Sequence, residues 1–204
     1  MNDVILQKAF KHLSSDNVMN YLISKFSDKI DWGNRFDTNN AKSIANLIIE
    51  QQISFKAAIT IKKRFSELIK NKSNLEILTM SNEEIQSVGV SHRKVQYIKN
   101  IYQFFQNNNI DFNKMSNQDV ISSLTQIKGI GEWTAQMFLI FNLFRPNIFS
   151  PKDLALINSI KINYQYNNLD KKDLEKLIKK WAPYNSIACL LLWESVENKI
   201  YFSA

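Results

Sequence analysis

Four glycines and three prolines are the only strong helix breakers in these 204 residues, so the chain has few places to leave a helix once it has entered one. Gly and Pro are the residues least compatible with helix interiors, while the abundant Leu, Ile, Lys and Gln lose little conformational freedom there. Apolar residues recur with helical spacing along almost the whole length. Leu6, Phe10 and Leu13 mark a first helix and Val18, Leu22 and Phe26 a second, before a break at Asp31-Trp32-Gly33-Asn34. A third runs from about Ala41 to Gln51 through Ile44, Leu47 and Ile48, and a fourth from about Ser54 through Ala58, Ile61, Phe65 and Leu68. Ser81-Asn82-Glu83-Glu84 has the capping-box form; its helix stops at Gly89, and Ser91 caps the next, which carries Val95, Ile98, Ile101 and Phe104. Ser116 and Asp170 are further start signals. No segment alternates with strand period. The pattern predicts an all-α protein of roughly ten short helices in one unit spanning residues 1–204.

Composition narrows the class. Apolar residues make up 45% and aromatics 12%, enough for a packed core and too much for a disordered chain. The formal charge is 26 − 19 = +7, which suits a polyanionic partner because phosphate neutralisation releases counterions; it equally suits a Lys-rich soluble protein. The lone cysteine, Cys189, lies in the apolar run from Ile187 to Trp193. One Cys excludes an intrachain disulfide, a four-Cys iron–sulfur cluster and a Cys-rich zinc site, and reads as a buried, inert thiol. The start Met1-Asn2-Asp3-Val4-Ile5-Leu6 lacks the basic and long apolar parts of a signal peptide. No stretch reaches the ~20 apolar residues of a membrane span, so a soluble protein with no membrane partner is expected.

Two of the four glycines fall two residues apart, in Leu124-Thr125-Gln126-Ile127-Lys128-Gly129-Ile130-Gly131-Glu132-Trp133-Thr134-Ala135, between two apolar-periodic helices. Gly-x-Gly opening a helix lets the backbone turn sharply and approach a ligand without a Cβ in the way. The helix that follows offers unpaired N–H groups and the positive end of its dipole, a setting for an anion. The same dipeptide also occurs where one helix merely ends and another starts. Leu124, Ile127 and Ile130 are spaced to fill the angle between the helices, and Thr134 adds a hydroxyl near the loop. Together these features resemble the helix-hairpin-helix motif of DNA-repair proteins.

Asp153 lies 153 − 129 = 24 residues beyond the first hairpin glycine, in Phe149-Ser150-Pro151-Lys152-Asp153-Leu154. Pro151 places it near a helix start, where an Asp also serves simply as a cap. Three further segments accompany it: Gln51-Gln52-Ile53-Ser54 with Ala57-Ala58, Gly89-Val90-Ser91-His92-Arg93-Lys94, and Trp181-Ala182-Pro183-Tyr184-Asn185-Ser186-Ile187-Ala188 ending in Leu192-Trp193. In this order the segments resemble the helix-hairpin-helix DNA glycosylase superfamily, and within it the 3-methyladenine-DNA glycosylase II family. The loop Ser150-Pro151-Lys152 departs from the pattern, since many members carry a Gly nearby. Longer members have an extra N-terminal β domain for which these residues leave no room.

The resemblance implies a fold of two intertwined helical subdomains with a cleft between them: residues 40–145 ending in the hairpin, and residues 1–39 plus 146–204 carrying the catalytic Asp. It implies base excision from double-stranded DNA by a monofunctional hydrolase that flips an alkylated purine, 3-methyladenine foremost, and leaves an abasic site. Asp153 is the expected catalytic carboxylate. Gly129, Gly131 and Thr134 are expected to hold a DNA phosphate, with Lys94 also at the DNA and Gln52 or Ile53 as the wedge that fills the emptied stack. Trp133, Trp193 and Met137 are the expected pocket walls, although Trp193 suits a buried core as well. Carbonyls of Thr125, Ile127 and Ile130 match positions that hold a monovalent cation, Na+ or K+, and no other cofactor is required. Bifunctional members carry a Schiff-base Lys where this chain has Trp133, which has no amine to offer. His92 reads as exposed or phosphate-facing, and the Lys171–Lys180 run as a solvated face. A glycosylase/lyase using another Lys, and a non-catalytic DNA-binding module, are the competing readings. A monomer is expected, in the cytoplasm with the nucleoid of a bacterium or in the nucleus of a eukaryote.

Overall fold

The computed structural model describes residues 2–33 and 35–203. Among these, the chain runs through twelve α-helices and one short 3-10 turn, with no strand: α1 (Asn2–Leu13), α2 (Asn17–Phe26), α3 (Asn40–Glu50), α4 (Phe55–Leu68), α5 (Asn74–Thr79), α6 (Asn82–Gln86), α7 (His92–Asn107), the turn Phe112–Lys114, α8 (Asn117–Thr125), α9 (Glu132–Phe141), α10 (Leu154–Asn163), α11 (Lys171–Trp181) and α12 (Asn185–Asn198). This is the all-α class read from the sequence. With so few breakers, the helix starts are written in polar side chains instead. Asp16, Asn39, Ser54, Ser73, Ser81, Ser91, Ser116, Asp153 and Asp170 each accept a backbone N–H from the first helical turn, satisfying donors that have no partner within the helix. Ser73 with Glu76 and Ser81 with Glu84 complete reciprocal capping boxes; the helix that the first of them opens, α5, has no counterpart among the sequence expectations.

The chain divides into two compact units, Met1–Asn34 with Phe144–Ala204, and Arg35–Leu143. The expected divisions were at 39/40 and 145/146. Residues 35–39 fall in the second unit, where Asn142, at the end of α9, ties down this stretch and the start of α3: Asp37 N donates to Asn142 Oδ1 at 3.1 Å, and Asn142 Nδ2 donates to Asn40 Oδ1 at 3.0 Å. Arg35 and Lys62 both pair with Glu50, and Lys42 pairs with Asp37 at 2.9 Å. Within this unit α3 packs on α4, α7 and α9, and α8 packs on α9. Phe112 and Phe138 meet edge-on in its interior, their ring centroids 5.4 Å apart.

In the first unit, α12 is the central element, packed by α1, α2, α10 and α11. Its residues from Asn185 to Leu192 are all buried, which explains an apolar pattern without a polar stripe. A buried polar network sets the register of α10 against α12. Ser159 Oγ donates to Leu192 O at 2.7 Å, and Asn163 Nδ2 donates to Ser195 Oγ at 2.9 Å. Phe202 N then donates to Asn163 Oδ1 at 2.9 Å. Cys189 is buried, and burial pushes its thiol pKa well above the ordinary range, as expected for an inert thiol. Among the described residues, no helix is long and apolar enough to cross a membrane.

Asp16 joins distant parts of the same unit. Only 3% exposed, it accepts from Met19 N at 3.1 Å and from Tyr164 Oη at 3.0 Å, and Lys180 Nζ lies 2.7 Å from its second oxygen. Lys180 is thus the member of the basic α11 run that is drawn off the solvated face. Removing the carboxylate strands the cap donor and the tyrosine hydroxyl, while half-exposed Lys180 regains water. Asp16→Ala should therefore lower the unfolding free energy by about 1–3 kcal/mol, measured as a fall in the urea midpoint; an unchanged midpoint would contradict this account of the contact.

Candidate active site

The hairpin links α8 to α9 through residues 126–131, and its shape depends on one glycine. Gly129 has φ +108°, a region that L side chains rarely adopt. A Cβ there would also overlap the ring of Tyr97, one of the α7 side chains beneath it. Asn100, three residues further along α7, donates from Nδ2 to Lys128 O at 2.9 Å. Thus α7 supports the hairpin at two points. Gly131 is different: a Cβ there would meet nothing within 4 Å. It occupies the N-cap of α9 without a side-chain cap, leaving open space where a capping side chain would otherwise sit.

The first helical hydrogen bond of α9 runs from Ala135 N to Gly131 O at 3.1 Å. The amides of Glu132, Trp133 and Thr134 therefore belong to the turn that has no i−4 carbonyl inside the helix, and they lie at its positive end. The Thr134 hydroxyl faces inward: the residue is 1% exposed and accepts from Gln51 Nε2 at 3.1 Å. What Thr134 can offer a phosphate is its position in this first turn, not its side chain. Ile127 and Ile130 are buried, as their plug-like spacing predicts, and Ile130 N donates to Ile127 O at 2.9 Å.

Gln51, Gln52 and Ile53 form the turn between α3 and α4. Gln52 is exposed and has φ +58°, a left-handed conformation that costs a non-glycine about 1–2 kcal/mol; Ile53 is half-buried. Lys94, expected at the DNA, is turned inward instead. Its Nζ donates to Ile49 O at 2.9 Å and to Gln51 O at 2.6 Å, carbonyls left over at the C-terminal end of α3. Burial holds its ammonium below the ordinary lysine pKa, and the Arg93 charge adds to the shift. A Lys beside Arg93 at a helix start reads as phosphate-facing, yet here the negative end of another helix lies within its reach. His92 is exposed, as expected.

Asp153 stands in the first unit as the N-cap of α10, 9% exposed. Its Oδ1 accepts from Leu156 N at 2.8 Å and from Trp193 Nε1 at 3.4 Å. The structure thus brings Asp153 and Trp193 together, while Trp133, half-buried in the first turn of α9, belongs to the second unit. Met137 is 2% exposed, within a run from Thr134 to Phe141 that is buried throughout. Sequence reasoning missed Asn100 and assigned no role to Gln51, which stands in a family-like segment, or to Tyr97, which follows Lys94 in another; the contacts of all three are made across helices.

Residues 45–183 match the family model of the HhH-GPD superfamily base excision DNA repair protein, and the chain belongs to that family. Its relatives include YfjP of Bacillus subtilis, 30% identical over 162 residues and matched over 74% of this chain, of which the chain spans just over half the length, 56%. DNA-3-methyladenine glycosylase 1 of Schizosaccharomyces pombe is 32% identical, over 76% of this chain and 71% of its own length. Among solved structures, the Schizosaccharomyces pombe 3-methyladenine DNA glycosylase Mag1 in complex with abasic DNA superposes with a TM-score of 0.86, at 28% identity over 96% of this chain and 100% of that one.

The two hairpin glycines should respond differently to a methyl group. Gly129→Ala meets both a forbidden backbone region and the Tyr97 ring, so it should cost about 2–5 kcal/mol of stability. Gly131→Ala has room and an ordinary φ and should cost less than about 1 kcal/mol. Denaturant melts of the two variants test this, and equal losses would contradict it.

Proposed function

We propose that the protein is a monofunctional DNA glycosylase that hydrolyses the N-glycosidic bond of alkylated purines, 3-methyladenine foremost, and leaves an abasic site. The observation that carries this reading is the buried Asp153 carboxylate, oriented by the Leu156 amide and the Trp193 indole N–H, in a chain of the base-excision family. The alkylated-purine preference comes from relatives in this family that are 3-methyladenine DNA glycosylases.

The chemistry follows from the charge on the substrate. An alkylated purine is cationic, so when the bond from C1′ to the base nitrogen breaks, the electron pair goes to the base and it leaves neutral. An oxocarbenium-like sugar remains. Water adds to C1′ and loses a proton, giving the hydroxyl of the abasic sugar. One ionised carboxylate serves this sequence, by stabilising the developing positive charge, by taking the proton from water, or both. Trp133 and Trp193 are suited to a cationic ring because their faces are electron-rich. Trp133 has no amine for a Schiff base, in keeping with base release without strand cleavage.

Binding is assigned to the hairpin. The first-turn amides of α9, with Gly129 and Gly131, hold a phosphate without reading sequence. Exposed Gln52 fills the stack when the damaged nucleotide is everted, an extrusion that costs about a few kcal/mol and less for a weakened pair. Oxygens of Thr125, Ile127 and Ile130 would hold a monovalent cation. The Ile127 carbonyl already accepts from Ile130 N and keeps a second lone pair for such an ion. The protein is proposed to act as a monomer on duplex DNA, in the compartment that holds the chromosome.

Asp153→Asn separates capping from catalysis, because Asn caps a helix about as well as Asp does. The variant should keep its melting temperature and its affinity for abasic-site DNA while base release falls by about 10²–10³-fold. Release at the wild-type rate would reject the mechanism.

A further inference from the structure

Helix α7 touches both parts of the second unit assigned to DNA. Near its start, Lys94 donates to the Ile49 and Gln51 carbonyls at 2.9 and 2.6 Å. Three residues on, the Tyr97 ring lies under Gly129, and after three more Asn100 donates to the Lys128 carbonyl at 2.9 Å. These are successive i, i+3 neighbours, and the six residue steps from Lys94 to Asn100 span about 9 Å along the helix axis. The ammonium is poorly suited to its own helix, since a cation at the third position of α7 opposes the dipole there. It suits α3, whose C-terminal carbonyls it caps with charge-assisted hydrogen bonds. Gln51 completes the brace by donating from Nε2 to Thr134 Oγ1 on the hairpin's second helix at 3.1 Å. Both carbonyls lie just before the residue held at φ +58°, Gln52, and one of them, Gln51 O, is in the peptide that leads into it.

We infer that α7 acts as a spacer between the phosphate grip and the wedge, with Lys94 a positioning residue that holds Gln52 in its outward, left-handed conformation. This rests on the reading of Gln52 as the wedge. A rigid turn is useful because the residue entering the stack must arrive as the damaged nucleotide leaves, at a set distance from the phosphate already bound. Preorganising it removes an ordering cost from the flipping step. Lys94 therefore acts through Gln52 and not on the reacting atoms.

The test compares wild type with Lys94→Met, which keeps the apolar stem, Lys94→Arg, Gln52→Ala and the double variant Lys94→Met/Gln52→Ala. Single-turnover release of an alkylated purine is measured from a fully paired duplex and from one in which the lesion is mispaired. Affinity for abasic-site DNA reports the hairpin. Lys94→Met is expected to slow release from the paired duplex about tenfold and from the mispaired one less, since a weakened pair needs less help to open. Abasic-site affinity should stay within about twofold if the hairpin grip is intact. Lys94→Arg should recover most of the rate, and the double variant should be no slower than the slower single, because the two residues act as one unit. Additive losses, equal losses on both duplexes, or loss of abasic-site binding would overturn the inference. Amide hydrogen exchange gives a readout free of activity: residues 50–54 should exchange faster in Lys94→Met while residues 126–134 do not, and unchanged exchange at 50–54 overturns it. Absence of release by the wild type would count against the proposed activity, leaving the exchange measurement to decide the brace.

Discussion

The contact between Gly129 and the Tyr97 ring is the constraint on which the hairpin depends. A left-handed backbone and a missing Cβ are both needed for the chain to turn over α7 at that point. Without them the chain could not enter α9 with its first-turn amides directed as they are. Only glycine meets both needs, so a chain nearly devoid of glycine keeps one here. The phosphate site proposed there would be made of backbone amides and would need no charged side chain.

The carboxylate follows a different logic. Asp153 is a cap, and capping is what makes it useful: the Leu156 amide and the Trp193 indole hold one oxygen in a fixed direction at low exposure. The structure shows the capping reading, and the proposed catalytic role is compatible with the same geometry. The polar network of Ser159, Asn163 and Ser195 ties α10, which Asp153 caps, to α12, which carries Trp193.

Helix starts were legible in the sequence because capping is local: Ser81, Ser91, Ser116, Asp153 and Asp170 all act within three residues of themselves. The hairpin was legible for the same reason, as two glycines between apolar-periodic runs. Contacts made between helices were not. Lys94 looked like a surface cation, since nothing near it in sequence shows that the carbonyl end of α3 lies 2.9 Å away. Thr134 offered a hydroxyl that the fold turns toward Gln51. Residues 35–39 cluster with a different unit from the expected one, and the side chain that bonds Asp37 there, Asn142, lies 142 − 37 = 105 residues away.

The central claim is that this chain removes a charged, damaged base and leaves the strand whole. The most direct measurement incubates the purified protein with a panel of lesion-containing duplexes, separates the freed bases, and follows the labelled strand with and without alkali. The account predicts free alkylated purine and a strand that breaks only after alkaline treatment. No freed base, or a strand cut without alkali together with an adduct trapped by borohydride, would contradict it.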